Sequence, residues 1–279
     1  MSKPSPSAKP ASIRQTRLRR VEGRHNALVK DLRRAFSHAE LTEEGDCAIE
    51  GIRMVEEAIR SGLRFRAVFF RESAETRAER LLPQIGAQVE TLVLPDKLFA
   101  SVVPSEGPQG VAALVRYRQT SLEDALERLA VGPLVAVAGL QDPGNLGTIL
   151  RSGEAFGAAA ALLGEGTVSP FNPKVVRGSA GSLFRLPVVR VKLAEVLPRL
   201  RERGVRLVAT SSHKGAPLPQ ANLTGSVAVL IGGEGAGVPR DLLAKIDQIV
   251  AIPHAPQVES LNAGVAASIV LYEIARQRA

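Results

Sequence analysis

Apolar and polar positions follow two different periods along the chain, and this pattern predicts an α/β protein. Short runs rich in β-branched residues, such as "LVAVAG" (134–139) and "VAVLIGG" (227–233), are separated by stretches with helical spacing. Runs of this kind are typical of strands buried on both faces of a mainly parallel sheet. Three further strands are predicted in the same region: "AALLG" (160–164), "VRLVAT" (205–210) and "QIVAIP" (248–253).

A smaller α/β unit is predicted ahead of this region. Its helices and strands alternate over about 90 residues, and a linker, "RQTS" (118–121), follows it, with Ser121 as the N-cap of the next helix. The sequence therefore predicts a disordered arm (1–24), a first domain (25–117) and a second domain (122–279). The predicted helices of the first domain are "NALVKDLRRAF" (26–36), "IRMVEEAIRSG" (52–62) and "AETRAERLLPQ" (74–84), and its predicted strands are "DCAIEG" (46–51), "FRAVFF" (65–70), "QVETLVL" (88–94) and "PQGVAALVRY" (108–117).

Positive charge is concentrated near the start of the chain. The net charge is +8, and residues 1–34 alone carry ten Lys or Arg against two acids, so the remaining residues are balanced. A basic segment beside a near-neutral body favours a polyanionic partner, above all a nucleic acid. A solvated tail and an organellar transit peptide are the two alternative interpretations. The prolines Pro4, Pro6 and Pro10 oppose the amphipathic helix that a transit peptide needs.

The sequence lacks the motifs of several common sites. Cys47 is the only cysteine, so an intramolecular disulfide and a cysteine-based zinc site are both excluded, and the four histidines have no metal-ligand spacing. No metal is therefore expected. Dinucleotide-binding, Walker A, zinc-protease and nucleophile-elbow motifs are all missing. No apolar run approaches the ~18–20 residues of a membrane span, and the start of the chain has no secretory signal. A cytoplasmic location is expected, with organellar import as the open alternative.

Three loops that follow predicted strands carry unusual polar residues. The first, "LQDPGNLGTILRSGEAFGA" (140–158), contains a turn signal before a helix that Asn145 is predicted to cap. Gly147 and Gly153 each cost that helix about 1 kcal/mol relative to Ala, which predicts that a backbone or a ligand comes close. Arg151 has a plain alternative role, an exposed ion pair with Glu154 at i+3.

The second loop, "GGEGAGVPRDLL" (232–243), presents backbone amides and the carboxylate of Glu234. The third, "PHAPQVESLNAGVAASIVLYE" (253–273), runs into an apolar helix through Ser260 and Asn262, two good N-cap residues for one N-cap position. Asn262 is the better candidate for the cap, because it directly precedes the run of small residues, and this leaves Ser260 without a structural role. Open α/β sheets bind ligands at the carboxyl ends of their strands, so these loops predict a site.

Three segments of the second domain, which include these loops, resemble the signature motifs of the SpoU-type RNA methyltransferases of the SPOUT class. The similar segments are "DPGNLGTILRSGEAFG" (142–157), "NPKVVRGSAGSLFRLPV" (172–188) and "IGGEGAGVPRDLL" (231–243) with "IVAIPHAPQVESLNAGVAASIVLYE" (249–273). Residues 25–117 resemble, more weakly, the L30e-like RNA-binding domain of the ribosomal RNA branch. The resemblance implies methyl transfer from S-adenosylmethionine to a ribose 2′-hydroxyl of RNA, with ribosomal RNA as the expected substrate. It also implies a deep trefoil knot and a homodimer.

The resemblance also implies a set of site residues. The catalytic group would comprise Asn145, Arg151, Glu234, Ser260 and Asn262. The cofactor would be held mainly by backbone groups at Gly232, Ile252 and Leu261, with Thr210 near the adenosine.

The residue types in this set suit methyl transfer without a metal. The reaction needs an aligned hydroxyl and partial removal of its proton. Arg151 could stabilise the developing alkoxide or, in an unusual neutral form, accept the proton, and the residues leave both roles open.

Two alternatives to the expected function remain. One is a transfer RNA 2′-O-methyltransferase, and the other is a non-catalytic RNA-binding or ribosome-assembly factor on the same scaffold. A Rossmann-type methyltransferase is disfavoured, because no glycine-rich loop follows the first strand of the second domain.

Overall fold

A computed structural model describes residues 17–104, 109–212, 214–235 and 237–279. The chain divides into two compact units, and the division between them falls between Arg116 and Tyr117. Residues 38–41 belong to the second unit. Most of the basic arm, Pro108 of a predicted strand, His213, and Ala236 of the second loop lie outside the described residues.

The first unit is built on a mixed five-stranded sheet in the order β1-β4-β3-β5-β2. β5 runs antiparallel to β2 and β3, while β1 and β3 run parallel to β4. Leu32 of α1 and Phe99 of α4 are fully buried in one core with Phe69 of β3. The strands are β1 Leu18–Arg20, β2 Asp46–Glu50, β3 Phe65–Arg71, β4 Glu90–Leu94 and β5 Val111–Arg116, and the helices are α1 Ala27–His38, α2 Ile52–Arg60, α3 Ala78–Leu81 and α4 Asp96–Val102.

The first strand corrects the prediction of a disordered arm (1–24) for residues 17–21, while residues 1–16 lie outside the described part of the chain. Leu18–Arg20 pair in parallel with β4 at the edge of the sheet, and the amide of Val21 donates to the Val93 carbonyl. The guanidinium of Arg17 donates to three carbonyls between Leu82 and Gly86, at 2.8, 3.1 and 2.9 Å. Residues 17–21 are therefore part of the folded unit, and their arginines are engaged within it.

Two other elements of the first unit differ from the prediction. The single helix expected over 74–84 is instead a 3₁₀ segment, Glu72–Arg77, then α3 and a second 3₁₀ turn, Leu82–Gln84, that contains Pro83. Proline removes a backbone donor, so it limits the regular helix to one turn. Helix α4 was not predicted.

The second unit is built on a seven-stranded parallel sheet in the order β10-β12-β9-β11-β6-β7-β8. This sheet confirms the predicted α/β class. Its strands are β6 Leu134–Ala138, β7 Ala160–Leu163, β8 Val188–Arg190, β9 Arg206–Ser211, β10 Ala216–Pro217, β11 Val227–Gly232 and β12 Gln248–Ala251, and its helices are α5 Leu122–Glu127, α6 Pro143–Ala155, α7 Pro173–Gly178, α8 Leu193–Glu202, α9 Arg240–Leu243 and α10 Ala263–Arg278.

Helices cover both faces of this sheet. Leu126 of α5 and Leu197 of α8 share a core with alternate residues of the strands, including Leu134. α6 covers the other face, where a Cβ built at Gly153 would lie 3.9 Å from Val135. Ser121 caps α5 through a capping box with Asp124, as its sequence position predicted. No helix in the described part of the chain is long and apolar enough to cross a membrane.

The strand order reverses between β6 and β11. From β6 the chain steps outward through β7 to β8, and it then crosses back to β9, which lies beyond β11. The loops that follow β6 and β11 therefore leave neighbouring strands at a topological switch point, which is where open α/β sheets bind ligands.

Candidate active site

The loop after β6 starts helix α6 through an aspartate cap. The carboxylate of Asp142 accepts a 2.7 Å hydrogen bond from the amide of Asn145, and Pro143 occupies the first helical turn. The prediction that Asn145 caps this helix is therefore wrong. Proline favours the first position inside a helix, and this fixes the cap one residue before it.

The side chain of Asn145 is used instead to join two loops. Its amide nitrogen donates a 2.6 Å hydrogen bond to the carboxylate of Glu234, in the loop after β11. Asn145 is only 9% exposed, whereas Glu234 is exposed. A carboxylate can only accept, so this contact fixes the orientation of the Asn145 amide and directs its oxygen away from Glu234.

The loop that carries Glu234 is folded tightly enough to require glycine. A Cβ built at Gly232 would lie 2.1 Å from the carbonyl carbon of Gly237, and one at Gly233 would lie 2.5 Å from the oxygen of Gly139. The Gly237 amide also donates to the Gly233 carbonyl at 3.0 Å. The loop thus folds back on itself and packs against the end of β6, and this arrangement places Glu234 beside Asn145.

Arg151 lies on α6, almost two turns after Asn145, and its side chain is exposed. Within the described residues it makes no hydrogen bond or ion pair. The alternative ion pair between Arg151 and Glu154 is not observed, because Glu154 forms a bidentate ion pair with Arg185. The hydrogen bond from Arg185 lowers the pKa of Glu154 below its usual value. Arg151 is therefore left available for a ligand.

The close approach of a backbone that the glycines of α6 predict is confirmed at Gly147 and not at Gly153. A Cβ built at Gly147 would lie 2.8 Å from the Cα of Gly178, so the backbones of α6 and α7 touch at this point. At Gly153 the neighbour is a side chain, with Leu186 at 3.1 Å from the built Cβ. Gly147 is therefore the position that sets the distance between these two helices.

The third loop enters α10 as its small-residue run predicted. The side-chain oxygen of Asn262 accepts a 3.2 Å hydrogen bond from the amide of Val265, which makes Asn262 the N-cap. Ser260 is exposed, and its hydroxyl makes no hydrogen bond to any residue that the structure describes. Ser260 thus has no capping role.

Helix α10 packs directly on α6 and brings this loop to the first. A Cβ built at Gly264 would lie 3.0 Å from the Cβ of Thr148. One turn further along both helices, the hydroxyls of Ser152 and Ser268 lie 2.6 Å apart. The Asn262 cap therefore lies beside the turn of α6 that follows Asn145. Sequence reasoning did not predict the contact between Thr148 and Gly264, because it joins segments that are distant in the chain.

Three of the four predicted cofactor positions lie at the carboxyl ends of neighbouring strands. Thr210 is near the end of β9 and pairs in register with Val250 of β12. Gly232 ends β11 beside Ala138 of β6, and Ile252 directly follows β12. Leu261 is partly buried and directly precedes the Asn262 cap. Among the described residues, no group of three or more His, Cys, Asp or Glu side chains could hold a metal ion.

Comparison with known proteins identifies both parts of the chain. The SpoU rRNA Methylase family model matches residues 132–272. An MRM3-like substrate binding domain model matches residues 26–113.

Two similar proteins are named as ribosomal RNA methyltransferases. The 23S rRNA (guanosine(2553)-2′-O)-methyltransferase RlmP of Bacillus subtilis is 33% identical over 257 residues, which cover 92% of this chain and 99% of the relative. The 23S rRNA (guanosine-2′-O-)-methyltransferase RlmB of Vibrio vulnificus is 36% identical over 175 residues, which cover 61% of this chain and 71% of the relative.

Two solved structures with AdoMet resemble the fold over nearly its whole length. The rRNA methyltransferase from Sinorhizobium meliloti has a TM-score of 0.78 and 27% identity. The match covers 93% of this chain and 98% of the chain of that structure. The SpoU methyltransferase AviRb from Streptomyces viridochromogenes has a TM-score of 0.77 and 29% identity. The match covers 91% of this chain and 98% of the chain of that structure. With a family model matched over half of its length and a relative aligned along nearly all of it, the chain belongs to the SpoU rRNA Methylase family.

Proposed function

We propose that this protein transfers a methyl group from S-adenosylmethionine to a ribose 2′-hydroxyl of ribosomal RNA. The observation that carries the proposal is the hydrogen bond between Asn145 and Glu234, which joins two of the three motif loops at the topological switch point of the sheet. Arg151 follows Asn145 in the first of these segments and has an exposed guanidinium. Ser260 belongs to the third loop and has an exposed hydroxyl. Family membership supports this chemistry, and both named relatives are 2′-O-methyltransferases of 23S rRNA.

The strand ends of the second unit suit S-adenosylmethionine. Gly232 and Gly233 leave no room for side chains, so backbone groups rather than side chains line the end of β11. Thr210, Gly232, Ile252 and Leu261 would hold the cofactor there, and two similar structures carry AdoMet. When bound, the cofactor supplies an electrophilic methyl group on a sulfonium, so the protein's task is to orient and activate the hydroxyl.

The side chains of the site divide this task. Glu234 holds the Asn145 amide so that its oxygen can accept a hydrogen bond from the ribose hydroxyl. Arg151 places a positive charge where the alkoxide develops, and stabilisation of such a charge is commonly a large term in catalysis. Asn262 supports the entry of α10, and Ser260 positions the ribose or a catalytic partner.

The substrate is proposed from the relatives and from the first unit. The MRM3-like substrate binding domain match covers most of that unit. The alignment with the 23S rRNA methyltransferase RlmP covers 92% of this chain, including this unit, and favours ribosomal RNA over transfer RNA. A purely binding role is disfavoured, because all five polar residues of the expected catalytic set are present. We propose a cytoplasmic location, in keeping with the ribosomal RNA that the names of both relatives give as their substrate.

We also propose that the protein is a homodimer whose subunits meet at α6 and α10. Val265 and Tyr272 lie seven residues apart on one face of α10 and are 46% and 54% exposed. The Tyr272 ring packs edge-to-face on Phe156, which directly follows α6, with ring centroids 5.7 Å apart. A second copy of the same face would cover this apolar stripe.

The Tyr272→Glu variant should sediment as a monomer, whereas the control Val131→Glu, at a 76% exposed residue elsewhere, should not. A dimeric Tyr272→Glu protein would reject this interface.

Three measurements on one variant test the proposed reaction. Arg151→Ala should retain the melting temperature and the calorimetric affinity for S-adenosylmethionine of the wild type, because an exposed, unpaired arginine contributes little to stability. Its methylation of ribosomal RNA should fall by at least about 100-fold. Mapping 2′-O-methylation in ribosomal RNA with and without the wild-type protein identifies the nucleotide. Wild-type turnover by Arg151→Ala, or a wild type that does not bind S-adenosylmethionine, would overturn the proposal.

A further inference from the structure

The short helix α7 presents two basic side chains to solvent. Val175 and Val176 are buried against the unit, while Lys174 and Arg177 are exposed. These two residues are three apart, so they lie on the same side of the helix. Lys174 makes no side-chain hydrogen bond or ion pair with the described part of the chain. The exposed side of α7 is therefore a compact patch of positive charge.

This patch lies against the face of α6 that carries Arg151. With 100° per residue, Gly144, Gly147 and Arg151 fall within about 60° of one another on α6. Gly147 touches the backbone of Gly178, the last residue of α7, and a Cβ built at Gly178 would lie 3.9 Å from the Gly144 carbonyl oxygen. Long helical side chains lean toward the N-terminus of their helix, so Arg151 extends toward this contact.

The acidic residue on the same face of α6 does not cancel the charge. Glu154 is held by both nitrogens of the Arg185 fork, and the hydrogen bond from Arg185 lowers its pKa. Arg151, Lys174 and Arg177 thus form a basic strip beside the proposed site.

The turn after α7 is held in an unfavourable backbone conformation. Ala180 has a φ of 49° although it carries a side chain, and Gly181 follows with a φ of 92°. A left-handed residue other than glycine costs roughly 1–2 kcal/mol, and such strain persists only where the surroundings enforce it. Here the fully buried Ser179 donates its hydroxyl hydrogen to the Val176 carbonyl at 2.8 Å. This turn directly follows Gly178, the residue of α7 whose backbone contacts Gly147 of α6.

We propose that Lys174 and Arg177 bind phosphates of the RNA strand on either side of the target nucleotide. They would hold the strand beside Arg151 equally in the ground state and in the transition state, so their loss weakens RNA binding rather than turnover. This inference rests on the proposed function. Two cations on a rigid helix can fix the register of a strand without reading its bases, since phosphate contacts position a nucleic acid and base contacts specify it.

The test uses the full-length protein and a fragment of ribosomal RNA that contains the methylated nucleotide. The double variant Lys174→Gln/Arg177→Gln removes both charges and retains polar side chains that extend into solvent. For two lost contacts, the slope of log affinity against log salt should become shallower by about 1.4 to 1.8, since each phosphate contributes about 0.7 to 0.9. KM for RNA should rise at least about tenfold, while kcat and the affinity for S-adenosylmethionine stay at wild-type values.

Two control variants separate this role from a structural one. Arg128→Gln removes an exposed arginine from the 3₁₀ turn before β6, at the opposite end of the sheet, and should leave slope and KM unchanged. The charge-preserving swap Lys174→Arg/Arg177→Lys should keep the wild-type slope. A double glutamine variant that matches Arg128→Gln in slope and KM would overturn the inference. A wild type that binds RNA with the expected salt slope yet transfers no methyl group would reject the proposed function alone.

Discussion

The side-chain amide of Asn145 donates a 2.6 Å hydrogen bond to the carboxylate of Glu234, 89 residues later in the chain. The contact crosses from the loop after β6 to the loop after β11, and it selects one of the two orientations of the amide. Glu234 therefore acts on the reaction by positioning Asn145.

Glu234→Ala should lower kcat by about 10- to 100-fold, because a misplaced catalytic group costs up to about two orders of magnitude. The free energy of unfolding should change by less than about 1 kcal/mol, since Glu234 is exposed and water can replace it as an acceptor. Single-turnover rates and thermal unfolding provide the two measurements. Glu165→Ala, at an exposed acid in the loop after β7, should leave both unchanged. Equal rates for the two variants would remove Glu234 from the site.

Ser260 and Asn262 should separate stability from activity. Asn262→Ala removes the N-cap of α10 and should cost about 0.5–2 kcal/mol of unfolding free energy. Ser260→Ala should melt near the wild type, because its exposed hydroxyl has no partner in the described residues, yet transfer methyl far more slowly. Denaturant unfolding and initial rates measured on both variants check the pair. A clear loss of stability with near-normal catalysis in Ser260→Ala would return Ser260 to a capping role.

The core of the second unit could be predicted from sequence because its strands are continuous apolar runs. The runs at 134–139 and 227–233 became β6 and β11 with ends shifted by one residue. Leu18–Arg20 could not be found in this way, since two of its three residues are charged. The strand forms because an edge position leaves side chains exposed, and because Arg17 binds carbonyls more than sixty residues away.

The residues of the site could be predicted from sequence, but their contacts could not. The motif and the resemblance pointed to Asn145 and Glu234, whereas the bond between them depends on the strand order that makes β6 and β11 neighbours. The cap at Asp142 could have been predicted from sequence, because Pro143 marks the first helical position. The knot, which follows no local pattern, stays a prediction.

Two truncations should measure how much β1 and Arg17 add to the stability of the first unit. A chain that begins at Arg17 keeps both features, and it is compared with the full-length protein and with a shorter chain. A chain that begins at His25 should be less stable by at least about 2 kcal/mol, since it loses β1 and the charge-assisted bonds of Arg17. Differential scanning calorimetry compares the three proteins. Identical melting of both truncated chains would mean that β1 adds nothing to the fold.

The chain that begins at Arg17 also tests whether the basic residues before it contact RNA. Deleting residues 1–16 removes Lys3, Lys9 and Arg14. If these residues bind phosphates, the salt dependence of RNA binding should become shallower, by up to about 0.9 for each. An unchanged slope would favour a solvated tail.

Glu273 should make the stability of the second unit depend on pH. Hydrogen bonds from Arg276 and Gln277 lower its pKa to about 2, from an ordinary value of 4.5. A depressed pKa stabilises the fold above the unfolded value, and that contribution is lost as the pH falls from about 4.5 to about 2. The difference in unfolding free energy between wild type and Glu273→Gln should therefore reach its maximum by pH 6 and be small near pH 2. Glu195→Gln, at an exposed acid on α8, provides the control. A difference that is constant with pH would exclude the carboxylate as its source.

The contact between Gly147 and Gly178 has a consequence for how the site meets its RNA. Backbone touches backbone there, so no side chain between α6 and α7 can rearrange when a strand arrives. The loss of conformational entropy on binding then falls on exposed side chains such as Arg151 and Lys174. The helices that carry Arg151 and Arg177 should therefore keep the same separation with and without RNA, and adjustment on binding should fall to these side chains and to the RNA strand.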